Sequence, residues 1–118
     1  MTLSELRDRL GEPGLLLLDV RSEPEFTGAA GYPCDPRQGH LPGARHLALD
    51  RLLACGSAEE VRELVGAPAG AEVVVYCHSG SRSALAGQVL AQAGYAARNY
   101  AGSWHEWSRD PALPAESV

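Results

Sequence analysis

What most constrains this chain is a pair of continuous apolar runs, each closed by a polar residue at its carboxyl end. Leu15-Leu16-Leu17-Leu18 runs into Asp19, and Val73-Val74-Val75-Tyr76 runs into Cys77. A strand with one wet face alternates apolar and polar residues, whereas an unbroken run of this length reads as a strand buried on both faces. Double burial calls for helices on both sides of a parallel sheet, and helical patterns lie before, between and after the two runs. Residues 3–10 put Leu3, Leu6 and Leu10 on one helical face, with Ser4 as the expected N-cap. Ser22-Glu23-Pro24-Glu25 has the form of a capping box at a helix start.

Further helices are expected at 49–54, Ala58–Val65 and 83–93, with a closing helical turn at 104–108. Short strands are expected at 45–47 and 97–100. Residues 27–38 are crowded with Gly, Pro and polar side chains and read as an irregular surface loop. The expected architecture is a single three-layer α/β domain over 1–118, its mainly parallel central sheet flanked by helices, with 110–118 as a short C-terminal tail.

Composition narrows the function classes. The 118 residues carry ten basic against fifteen acidic side chains, a net charge of −5. Nucleic acid and membranes are therefore not expected partners, since little would neutralise their phosphates. The N-terminus carries Glu5 and Asp8 in place of a signal peptide's apolar centre, and the cytoplasm is the expected location. Three cysteines without a Cys-x-x-Cys pair argue against a disulfide scaffold or a zinc ribbon. The four histidines are scattered without ligand spacing, so neither a metal site nor a cofactor is expected.

The chemistry concentrates where the second run ends. Cys77 is the first residue past a buried strand, and active sites in open parallel sheets form beyond such strand ends. The following helix begins at about Arg82, so its free amides point back into the loop Cys77-His78-Ser79-Gly80-Ser81-Arg82. Amide donors and a nearby guanidinium favour thiolate over thiol. Gly80 allows the loop to curl, and Ser79 and Ser81 add hydroxyl donors. An isolated cysteine at a strand end is usually a small buried hydrophobe; the Ser/Gly/Arg loop after Cys77 turns the reading towards a reactive one.

Four blocks in order resemble the rhodanese (sulfurtransferase) domain family across nearly the whole chain. They are Asp19-Val20-Arg21 with Glu25-Phe26, Gly39-His40-Leu41-Pro42-Gly43-Ala44, the loop from Val75 to Ser83, and Gly94-Tyr95 with Gly102-Ser103-Trp104 and Trp107. Ser103 stands where the family usually has Gly, a departure expected to touch a structural turn and leave the chemistry intact. The resemblance implies a sulfurtransferase in which Cys77 carries sulfane sulfur as a persulfide. The donor would be small and anionic, such as thiosulfate or mercaptopyruvate, and the acceptor thiophilic, such as cyanide, a thiol or a protein thiol. A persulfide carrier or docking module without turnover is the alternative. A cysteine-dependent phosphatase is a further one: four residues separate Cys77 from Arg82, where related phosphatases have five and a wider cradle.

Other residues have two readings each. His78 would tune the thiolate and meet substrate, or face solvent. Arg37 would bind a donor's carboxylate, as the resemblance to mercaptopyruvate sulfurtransferases implies, or be solvated. Asp19 and Arg21 would support the loop electrostatically, or simply pair with each other. His40 would carry protons, or hold backbone groups in its turn. Cys34 would resolve a Cys77 persulfide if its loop folds over the site, and otherwise is a surface thiol; Cys55 reads as helix-end packing.

Overall fold

A computed structural model describes residues 1–118. The two apolar runs form β1 (Leu16–Asp19) and β3 (Glu72–Tyr76), paired in parallel at the centre of a four-stranded sheet. The edges are β2 (Arg45–His46) and β4 (Ala96–Asn99), giving the order β2-β1-β3-β4, parallel throughout. Around the sheet lie α1 (Leu3–Arg9), α2 (Glu23–Thr27), α3 (Leu49–Leu53), α4 (Ala58–Val65), α5 (Ser81–Gln92) and α6 (Ser103–Trp107).

The period-2 alternation of a strand divides the apolar runs between two cores. Leu18, Val73, Val75 and Cys77 join Leu52, Val61, Val65, Ala86 and Leu90 from α3, α4 and α5 on one face. Leu17, Val74 and Tyr76 join Leu6, Trp104 and Trp107 from α1 and α6 on the other. Both tryptophans are fully buried, as expected of side chains that pack the closing turn onto the sheet. The chain is thus a three-layer α/β domain, and it contains no helix long and apolar enough to cross a membrane.

Several boundaries differ from the sequence reading. Thr2, rather than Ser4, caps α1: its hydroxyl accepts from the Glu5 amide, and the Glu5 carboxylate accepts from the Thr2 amide, each at 3.2 Å. Only Thr2 has an acid three residues on to complete the box. The last strand runs one residue earlier than expected: Tyr100 closes the ladder with its amide on the Val75 carbonyl at 2.9 Å and buries its ring in the second core. Helix α5 starts at Ser81, within the loop. Residues 110–118 pack onto the body: His40 and Glu116 exchange backbone hydrogen bonds of 2.8 and 2.9 Å, and Val118 donates to the Thr27 carbonyl.

Order β2-β1-β3-β4 means that the chain winds outward in opposite directions from β1 and β3. A crevice opens between the carboxyl ends of those two strands. The loop after β1 and the loop after β3 face each other there, which brings Asp19 to Glu25 beside Cys77 to Arg82.

Candidate active site

The Cys77 loop begins where β3 stops and ends in the first turn of α5. Gly80, at φ +100°, directs its amide onto the Cys77 sulfur at 3.1 Å. A Cβ there would lie 2.6 Å from the Ala101 carbonyl, so glycine is required both by the backbone angle and by the close approach. Ser83 adds its amide at 3.4 Å and its hydroxyl at 3.3 Å. That hydroxyl also lies 3.2 Å from the Gly80 carbonyl, so its single proton can turn to either acceptor. Burial pushes the Cys77 thiol up, yet the Ser83 hydroxyl and the amides of Ser83, Gly80 and Ser79 outweigh it and hold the thiol below its ordinary value. The sulfur is buried, ringed by neutral donors and biased towards thiolate, the state in which a cysteine can act as a nucleophile.

Arg82 does not supply free charge to this ring. Its guanidinium forms a two-pronged pair with Glu25 at 2.8 and 3.1 Å. Burial alone would raise the Glu25 carboxyl, but Arg82 and the Ser22 cap bring it down to about 2. Glu25 therefore both caps α2 and ties that helix to the Cys77 loop. Ser79 and Ser81 are exposed, and the Ser79 contribution to the sulfur is its amide.

The base of the loop is held from below by α6. The amide of Cys77 donates to the Ser103 hydroxyl at 3.0 Å, and that hydroxyl donates to the Tyr100 carbonyl at 2.8 Å. The amides of Trp104 and His105 donate to the carbonyls of Cys77 and His78. Ser103 sits at φ +57°, a left-handed conformation that favours glycine. Its departure from the family pattern therefore reaches the Cys77 backbone and is not confined to a turn. Ser83 and Ser103 are the two contributors that the sequence reading missed. For Ser83 a signal existed, since the first turn of a helix after the loop aims its donors back at the loop.

The other predicted residues fall elsewhere. Arg37, expected near the donor, spends its guanidinium on four carbonyls, of Trp107, Ser108, Asp110 and Leu113, at 2.8–3.2 Å. A cation saturated by the open end of α6 and the segment after it is a structural clamp, and the substrate-binding assignment is corrected accordingly. His78 does not face solvent: its ring stacks on Tyr32 at 3.7 Å and its Nε2 meets Asp35. Asp19 and Arg21 form a buried ion pair beneath the crevice, with Tyr76 donating to Asp19 at 2.7 Å and Arg21 reaching the Gly39 carbonyl. His40 holds backbone, its Nδ1 lying 2.7 Å from the Phe26 carbonyl. Cys34 is exposed, while Cys55 packs against the first core from the end of α3.

A family model for the rhodanese-like domain matches residues 2–110. The chain is 41% identical over 119 residues to a probable 3-mercaptopyruvate sulfurtransferase of Pseudomonas aeruginosa, a match that takes in 92% of this chain and 41% of that protein. A crystal structure of a probable thiosulfate sulfurtransferase superposes with a TM-score of 0.84 at 46% identity, over 98% of this chain and 46% of its own. The human single-domain sulfurtransferase superposes with a TM-score of 0.65 at 33% identity, over 91% of this chain and 92% of that one. The chain thus spans less than half the length of the first two proteins and nearly the whole of the third. With the parallel sheet, the strand-end cysteine and the four sequence blocks all in place, the chain belongs to the rhodanese-like domain family.

Proposed function

We propose that this domain is a sulfurtransferase that carries sulfane sulfur on Cys77. The observation that supports this best is the ring of donors from Gly80 and Ser83 converging on the Cys77 sulfur at 3.1–3.4 Å. In the first half-reaction the thiolate attacks the outer sulfur of thiosulfate. The sulfur–sulfur bond of the donor breaks with its electron pair, sulfite leaves, and the anionic Cys77 persulfide remains. In the second, a nucleophile such as cyanide or a thiol takes the outer sulfur and returns the Cys77 thiolate. Negative charge stays on sulfur in the loop throughout, so the same preorganised amides serve each state without reorganising.

The electrostatics favour sulfur over phosphate. A phosphate dianion wants a free guanidinium in its cradle, and the Arg82 guanidinium is paired with Glu25. Neutral amides suit a singly charged persulfide. The proposed catalytic residue is Cys77; Ser79, Gly80 and Ser83 bind its charge, and Arg82 acts through Glu25 as a positioning residue.

The test is intact mass after thiosulfate or mercaptopyruvate treatment, followed by turnover with cyanide and with dithiothreitol. The wild-type chain gains one sulfur atom and loses it to either acceptor; Cys77→Ser gains none and shows no turnover, while Cys34→Ser and Cys55→Ser behave as wild type. Turnover retained in Cys77→Ser would sink the proposal. Loading without release to small acceptors would instead favour a carrier that hands sulfur to a protein thiol, and Cys77-dependent hydrolysis of aryl phosphates would favour a phosphatase.

A further inference from the structure

We propose that Cys34, Asp35, His78 and His105 form a binding site for a divalent metal ion of zinc character, beside the Cys77 loop. The four residues come from three places in the chain: the 27–38 loop, the Cys77 loop and α6. Their ligand atoms (one thiol sulfur, one carboxylate oxygen and two imidazole nitrogens) all lie within 4.8 Å of one another. A tetrahedral zinc ion holds such atoms roughly 3.3–3.7 Å apart, given bonds of about 2.0 Å to nitrogen or oxygen and 2.3 Å to sulfur. Closing the remaining gap falls to Cys34 and His105, the two more exposed members, while His78 Nε2 and Asp35 Oδ2, 2.9 Å apart, would part slightly to admit the ion.

A second observation comes from the carboxylate. Asp35 is fully buried at its side chain, and its two oxygens are treated unequally. Oδ1 receives Arg109 at 3.2 Å and His78 Nε2 at 3.2 Å, with His105 Nδ1 at 3.5 Å. Oδ2 has only His78 Nε2 for a polar neighbour, at 2.9 Å, and that one nitrogen is shared with Oδ1. A metal ion bound to Nε2 would take the place of the proton that this nitrogen now shares with the carboxylate. Arg109 reaches only Oδ1, so the Oδ2 side of this buried carboxylate faces the His78 nitrogen and is the side open to an ion.

The donor set defines the ion. One thiolate, one carboxylate and two neutral imidazoles balance a double positive charge, and a mixed sulfur, nitrogen and oxygen set suits zinc over magnesium or calcium. Arg109 would stay on Oδ1 as the outer partner that orients the ligating carboxylate, a recurrent arrangement around metal ligands. It also donates to the Cys34 carbonyl at 2.9 Å, so it already holds the loop carrying two of the four ligands. The exposed sides of Cys34 and His105 leave an entry path from solvent. Occupancy would pin the 27–38 loop to the residue next to Cys77 without engaging the Cys77 sulfur itself.

The test uses the full chain, reduced, with cobalt(II) alone as the spectroscopic probe. Wild type is expected to bind one ion per chain, with a thiolate-to-cobalt charge-transfer band and the visible bands of tetrahedral cobalt, both lost on adding zinc. Cys77→Ser retains both features. Cys34→Ser loses the charge-transfer band, and His105→Ala weakens binding by at least tenfold; both positions are exposed enough for the variants to fold, which far-ultraviolet circular dichroism checks. No saturable one-to-one binding would overturn the proposal. So would a charge-transfer band that disappears with Cys77 in place of Cys34, or affinity unchanged in both variants.

Discussion

At Cys77 two opposed effects meet on one atom. Burial disfavours the thiolate, and four converging groups on Ser79, Gly80 and Ser83 favour it; the second set prevails. Ser83 is the member that can be removed with least harm to the backbone, since Ser→Ala deletes one hydroxyl and keeps the amide. A hydrogen bond to a charged group is worth about 1.5–3 kcal/mol. Ser83→Ala should therefore slow alkylation of Cys77 at neutral pH by roughly tenfold and move the midpoint of its pH profile upward. Iodoacetamide kinetics followed across pH, with Cys34 and Cys55 replaced by Ser, measure both. A profile identical to wild type would assign the thiolate's stability to the amides alone.

Elements meet at the crevice through the Glu25–Arg82 pair, which joins the start of α2 to the start of α5. Because the Glu25 carboxyl in the folded chain lies at about 2, below the 4.5 of an ordinary glutamate, its deprotonated form favours folding. The stabilisation is complete above the unfolded value and is lost as pH falls from there through the folded one. Glu25→Gln should thus lower stability by about 1–2 kcal/mol at neutral pH, after allowing for solvent screening of a half-buried pair. Near pH 2 the variant and wild type should converge. Urea unfolding at several pH values checks the difference, and a gap that persists undiminished in acid would exclude the ion pair as its source.

Across the whole molecule, the 27–38 loop and the C-terminal segment act as one strap around the sheet's second face. Arg37 gathers carbonyls of Trp107, Ser108, Asp110 and Leu113, while Trp104 donates back to the Arg37 carbonyl at 2.9 Å and Trp107 to that of Pro114 at 2.8 Å. Removing the guanidinium leaves several partly buried carbonyls without a donor. Arg37→Ala should cost about 2 kcal/mol, which is about 8 °C in Tm for a domain of this size. Any loss of kcat/KM should be the same for thiosulfate and mercaptopyruvate. Thermal melts with parallel kinetics decide it: an unchanged Tm with a selective loss for one anionic donor would return Arg37 to the substrate.

By itself, the sequence determined the layers and the place of the strand-end cysteine. Unbroken apolar runs such as Leu15 to Leu18 bury on both faces only in a covered parallel sheet, and a cysteine at such a strand end, followed by Gly and a helix start, is positioned by local geometry. Capping boxes are equally local, which is why Ser22 and Glu25 were legible. What only the tertiary structure decided are the partnerships between segments far apart in the chain. Arg82 and Glu25 are separated by 57 positions, Arg37 and its carbonyls by 70 to 76, and Cys77 and Ser103 by 26. The same holds for Asp35, His78 and His105, whose spacing along the chain has no period that would betray a cluster. A charged or polar side chain reveals in sequence that it needs a partner, because leaving it unpaired is costly; which partner it takes depends on how the sheet order folds distant loops onto one crevice.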